Sequence, residues 1–193
     1  MAFRRTIDAG AHGAAHFMNA PRIVLFGEMG IGKTTAVRAL CGDTVVDCDV
    51  ANLDTERHAK ATTTVGADFG IVRLGNGDEL HVYGSPGQSR FDFMRRWLLG
   101  FAMGVMVLVD LAEADAIDHA QHAIAMTSEL APEAAVVVLV ARPADPALIQ
   151  HFAEELAGRA GWAVPVMQVD VRDRQQMLDA LELLVAVLPD PAY

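Results

Sequence analysis

Eight consecutive residues, Gly27-Glu28-Met29-Gly30-Ile31-Gly32-Lys33-Thr34, constrain this chain more than any other segment. Gly27 and Gly32 enclose four residues and are followed by a lysine and a hydroxyl side chain, the Walker A spacing of a phosphate-binding loop. The glycines let the backbone curl so that amide groups point inward at an anion, and a following helix adds its positive end. On this reading Gly27, Glu28, Met29, Gly30, Ile31 and Gly32 cradle a polyphosphate. Lys33 bridges the β- and γ-phosphates, Thr34 ligates magnesium, and Thr35 is the next contact along the helix.

The flanking sequence supplies what such a loop needs. Pro21 to Gly27 contains the apolar run Ile23-Val24-Leu25-Phe26 and reads as a buried strand, while Lys33 to Leu40 reads as a helix ended by Gly42. Asp43 to Thr64 has no sustained period and carries Asp47, Asp49, Asp54 and Glu56, so it reads as a long, mobile and functional connection. Ala67 to Leu74 and Glu79 to Tyr83 are strands joined by a hairpin at Asn76-Gly77. Apolar runs at Val105 to Val109, Ala135 to Val140 and Val164 to Val169 then alternate with helical stretches near Ser89 to Gly100, Ala114 to Leu130, Pro146 to Arg159 and Arg174 to Leu188.

That alternation predicts an α/β fold: a six-stranded, mostly parallel sheet with one antiparallel edge hairpin, covered by helices on both faces in three layers. With 193 residues, a single domain over 20–193 behind a flexible leader over 1–19 is expected. Ligands of such sheets sit at the carboxyl ends of the strands, so the chemistry falls to the loops there.

Several function classes are disfavoured. A net charge of −10 without a basic run argues against nucleic acid. The longest apolar stretch, Trp97 to Val109, is 13 residues long and interrupted by Gly100 and Gly104, too short for an integral membrane segment. The opening residues are too polar for an export signal, and neither a Met-Gly start nor a prenylation box is present. Cys41 and Cys48 read as buried thiols of a reducing, cytoplasmic compartment. The seven histidines show no metal-binding spacing.

Two further segments stand where phosphate-sensing loops should: Thr62-Thr63-Thr64-Val65-Gly66-Ala67-Asp68-Phe69 and Gly84-Ser85-Pro86-Gly87-Gln88-Ser89-Arg90-Phe91. With the loop at Gly27 to Thr34, they make the chain after Pro21 resemble the small Ras-like P-loop GTPases, in particular the bacterial gliding-polarity (MglA-like) type that works beside roadblock-fold regulators. The resemblance implies GTP or GDP with magnesium as ligands, slow and activator-dependent GTP hydrolysis, and a switch that signals to a roadblock-type protein. It implies that Thr64 closes over magnesium and the γ-phosphate. It also implies that the Gly87 amide contacts that phosphate and that Gln88 orients the attacking water.

The chain departs from that pattern in two places. The aspartate that usually ends the third strand and holds magnesium through water is here Gly84. The base-reading motif is degenerate at Ala141-Arg142-Pro143-Ala144-Asp145. There Asp145 is either a guanine acceptor beside the stem of Arg142 or the cap of the helix that starts at Pro146. The resemblance further implies that the loop Asp170-Val171-Arg172 offers amides, at Val171, to the ring carbonyl. Arg57 is either an arginine supplied in cis or a solvated loop residue.

Overall fold

The computed structural model describes residues 20–45, 49–51, 62–64, 67–74 and 78–188. Eight strands are seen among them: β1 (Arg22–Gly27), β2 (Asp49–Ala51), β3 (Thr62–Thr64), β4 (Asp68–Arg73), β5 (Glu79–Gly84), β6 (Gly104–Val109), β7 (Ala135–Val140) and β8 (Val166–Gln168). The helices are α1 (Lys33–Cys41), α2 (Asp92–Leu99), α3 (Ala116–Leu130), α4 (Pro146–Ala160) and α5 (Arg174–Ala186).

Six strands form one sheet in the order β4-β5-β1-β6-β7-β8. All neighbours run parallel except the edge pair β4 and β5, so the expected mostly parallel sheet with one antiparallel hairpin is present. β1 lies between β5 and β6, which puts its carboxyl end near the middle of the sheet.

The unbroken apolar strands follow from burial on both faces, with alternate residues serving opposite layers. Ile23, Leu25, Met106, Leu108, Val137 and Leu139 pack with Val37 and Leu40 of α1 and Met177 and Leu184 of α5. Their neighbours Val24, Phe26, Val105, Val107, Val136 and Val138 pack on the other side with α2, α3 and α4, through Leu98, Ala120 and Leu156 among others. These two apolar layers hold the strand ends, and with them the loops, in a fixed arrangement.

Three elements differ from expectation for identifiable reasons. The connection expected to lack structure contains the antiparallel pair β2 and β3, whose strands are three residues each, too short to show a period of two. β8 begins only at Val166, because Pro165 has no amide to enter the ladder. The helix expected from Ser89 begins as a 3₁₀ turn over Ser89–Phe91, and α2 starts at Asp92. The Asn76-Gly77 turn lies outside the described residues, although Leu74 N donates to Asp78 O (2.9 Å) across its mouth. Among the described residues no helix is long and apolar enough to cross a membrane.

Candidate functional site: the phosphate loop and its surroundings

The loop after β1 leaves the sheet at Gly27 and enters α1 at Lys33. Gly30 and Gly32 have φ of 83° and 116°, a region that side-chain-bearing residues avoid, so the curl depends on glycine. Ile31 anchors the curl by burying its side chain in the core layer of α1 and α5. Glu28 instead reaches out to His119 on α3, with Oε1 3.5 Å from Nε2. The helix cap is Gly32, whose lack of a side chain leaves the first-turn amides of α1 without a side-chain cap. Lys33 Nζ donates to Gly27 O (2.7 Å) and Glu28 O (2.6 Å) and is buried at 8% exposure. A buried ammonium beside uncapped helical amides is suited to a phosphate, which compensates the cost of burying the charge.

The segment after β5 folds onto this loop. Ser85 N donates to Leu25 O (2.9 Å), continuing the register of β1 and β5 beyond the last strand residue. A Cβ on Gly87 would lie 2.6 Å from both Cα and N of Met29, so only glycine fits there. Gln88 Nε2 donates to Met29 Sδ (3.4 Å). The other end of that amide, Oε1, is buried and has no hydrogen-bond partner among the described residues. An orphaned acceptor of this kind fits a water or hydroxyl donor. Gly87 and Gln88 are thus brought against the phosphate loop. Thr64 is placed only as backbone, paired with Asp49 across β2 and β3, and its side chain is outside the described residues, as is Arg57.

Thr34 makes a contact that the sequence reading missed. Its Oγ1 donates to Asp68 Oδ2 at 2.6 Å. Asp68 is 1% exposed and lies on β4 directly across from Gly84, the position that lacks the usual acid. The signal was present in the sequence as an aspartate at the start of one strand and a missing aspartate at the end of its neighbour. Only antiparallel register joins the two. The hydroxyl and carboxylate are hard oxygen groups of the kind magnesium takes. Among the described residues no group of three or more His, Cys, Asp or Glu side chains could hold a metal by itself. The residues therefore fit a cation only if phosphate and water were to supply most of its ligands, and Thr34 would then be the side chain to hold it.

Beside the loop opens a cleft of about 470 Å³, a size suited to a small-molecule ligand. It is lined by Gly30, Gly32 and Thr35, by the turn after β7 and by the turn after β8. Arg142 crosses it, with NH2 donating to Gly30 O at 3.4 Å. Val171 also lines it, and its Cγ2 would meet a Cβ on Gly32 at 2.9 Å. Asp145 is not among the lining residues. Its Oδ1 accepts from Ala147 N (2.8 Å) and caps α4, next to Pro146 at the first helical position. Asp170 does line the cleft, gripped by Arg172 through Nε (2.9 Å) and NH2 (2.7 Å). Hydrogen bonds from the Arg172 side chain, then from its backbone, hold the Asp170 carboxyl down at about 2.

Comparison with known proteins identifies the family and the fold. The model of the Ras family matches residues 22–186. Ras-related protein Rab-15 of Rattus norvegicus and of Homo sapiens is 25% identical over 127 residues, covering 64% of this chain and 54% of the relative. The Ras and EF-hand domain-containing protein of Xenopus tropicalis is 27% identical over 153 residues, 78% of this chain and 19% of that protein. The chain therefore spans about half the length of the Rab relatives it matches. In fold it is similar to the bacterial selenocysteine-specific elongation factor EF-Sec, with a TM-score of 0.63 and 15% identity over 89% of this chain and 30% of that one. A glycine loop closing on a buried lysine, a glycine and glutamine folded over that loop, and a family match running from β1 to the end of α5 converge: the chain belongs to the Ras family.

Proposed function

We propose that the chain is a GTP-binding molecular switch of the cytoplasm that hydrolyses GTP slowly to GDP and phosphate. The observation that carries this reading is the seating of Gly87 and Gln88 on Met29, with the Gln88 carbonyl oxygen buried and unpartnered among the described residues. A γ-phosphate in the curl of Gly27 to Thr34 faces the Lys33 ammonium. A water accepted by Gln88 Oε1 is then held for in-line attack on phosphorus, and the bond to the β-phosphate oxygen breaks with its electron pair leaving on GDP. Magnesium, contacted by Thr34 and, by resemblance, Thr64, supplies neutralisation of the phosphate oxygens when bound. Loss of the γ-phosphate would remove its contacts with the Gly87 amide and, by resemblance, with Thr64, and that loss is the switch. Turnover is expected to be slow alone, since an arginine supplied to the transition state contributes about 10³–10⁵ in rate.

The cleft of Arg142, Val171 and Asp170 is assigned to the nucleoside. Guanine is the first reading. Adenine is a second, favoured by the engagement of Asp145 in capping α4. As partner we propose a roadblock-type regulator docking on α2, which follows the Gln88 segment and leaves Phe93 and Trp97 68% and 63% exposed. Thermal melting with GTP, GDP, ATP and ADP, with and without magnesium, tests the reading. The preferred nucleotide at a thousand times its Kd should add about 4 kcal/mol to stability, and Lys33→Ala should abolish the shift. No shift with any nucleotide would overturn it, and a shift with adenine nucleotides alone would replace guanine with adenine.

A further inference from the structure

Gly84 and Asp68 face each other across the antiparallel edge pair, and the carboxylate of one occupies the space beside the absent side chain of the other. A Cβ on Gly84 would meet Asp68 Oδ2 at 3.1 Å and Asp68 Cβ at 3.3 Å, so that this pocket at the strand end accommodates one acid side chain readily and two only with displacement. The acid is contributed from β4, and it reaches Thr34 Oγ1 at 2.6 Å. The Thr34 hydroxyl uses its hydrogen in that bond, and its lone pairs are left for a cation on the other side. We propose that Asp68 is the metal-site acid of this protein, relocated by one strand from the position now held by Gly84. It orients Thr34 and balances the charge of a divalent cation that enters with the nucleotide. The assignment rests on the proposed nucleotide site.

The relocation has a consequence for signalling. Asp68 follows Thr64 by four residues, so the acid belongs to the strand that continues the threonine segment instead of the strand that leads into Gly87 and Gln88. The hydrogen bond from Thr34 to Asp68 ties β4 to the amino end of α1 at the place where the cation would sit.

The test compares dissociation of a fluorescent GDP analogue with magnesium and with EDTA. In the wild-type chain magnesium should slow release, and Asp68→Asn, which keeps the shape and loses the charge, should reduce that magnesium effect by about tenfold with release in EDTA unchanged. Manganese affinity of the GDP complex, read by electron paramagnetic resonance, should fall in parallel. Asp68→Ala with Gly84→Asp restores an acid from the other strand and should recover most of the magnesium effect that Asp68→Ala alone has lost. A structural brace between β4 and α1 predicts no such recovery. Nucleotide binding in EDTA with a wild-type magnesium effect in Asp68→Asn, or no recovery in the double variant, would overturn the assignment alone. Failure of the wild-type chain to bind the analogue in either medium would overturn the nucleotide site as well.

Discussion

Gly87 and Met29 meet backbone to backbone: any β-carbon on Gly87 would fall 2.6 Å from the Met29 amide nitrogen and α-carbon. Two loops that leave different strands, β5 and β1, are in contact at a point where a side chain has no room. Gly87→Ala should therefore lift the Gln88 segment away from the phosphate loop. A displacement of about 1 Å costs on the order of 10²-fold in rate when a group positions a reactant. Single-turnover GTP hydrolysis should fall by that order while GDP binding is retained. An unchanged rate would mean that closure on Met29 has no part in the chemistry.

Asp145 caps α4 through Ala147 N, and loss of such a cap costs about 1 kcal/mol. Asp145→Ala should lower stability by that amount in urea melts, with the preference between GTP and ATP unchanged. Loss of guanine preference in this variant would return the base-reading role to Asp145.

The Asp170 carboxyl, held at about 2 by Arg172, titrates below the ordinary carboxylate value of 3.8. A depressed folded value means that its contribution to stability is present above the unfolded value and is lost as pH falls from there through about 2. NMR titration should place the Asp170 midpoint near 2 in the wild-type chain. In Arg172→Ala the midpoint should rise toward 3.8. A midpoint unmoved by that substitution would remove Arg172 as the cause.

Burial pushes the Cys41 thiol up to about 12, against the opposing pull of Arg174. The thiolate is the reactive form, so Cys41 should resist alkylation by iodoacetamide at pH 8 in the folded chain and react once urea is added. Peptide mapping by mass spectrometry reads this directly. The same packing leaves no room for a β-carbon at Gly70, which would lie 2.7 Å from Cys41 Sγ, so Gly70→Ala should be destabilising by about 1–3 kcal/mol.

Much of the fold was legible because burial on both faces imposes uninterrupted apolar strands, and β6 and β7 stand in the sequence as Val-Met-Val-Leu-Val and Val-Val-Val-Leu-Val. The pair β2 and β3 was not legible, since strands of three residues carry too few positions to show a period. Within the candidate site, Lys33 was found by the spacing of the phosphate loop and Gly87 and Gln88 through the resemblance of their segment, and the fold sets the latter two against Met29 of that loop. Asp145 admitted two roles in the sequence, and its hydrogen bond to Ala147 makes it a cap.

The amino-acid order by itself determined the phosphate loop. The curl needs glycine at left-handed positions, with a lysine and a hydroxyl at set distances, and all of these are local along the chain. Tertiary structure alone decided which acid accompanies Thr34. Asp68 is 34 residues away, and only the antiparallel register of β4 on β5 brings its carboxylate to the side of Gly84. Register is a property of two paired strands, set by which faces are buried, and it cannot be read from either strand singly.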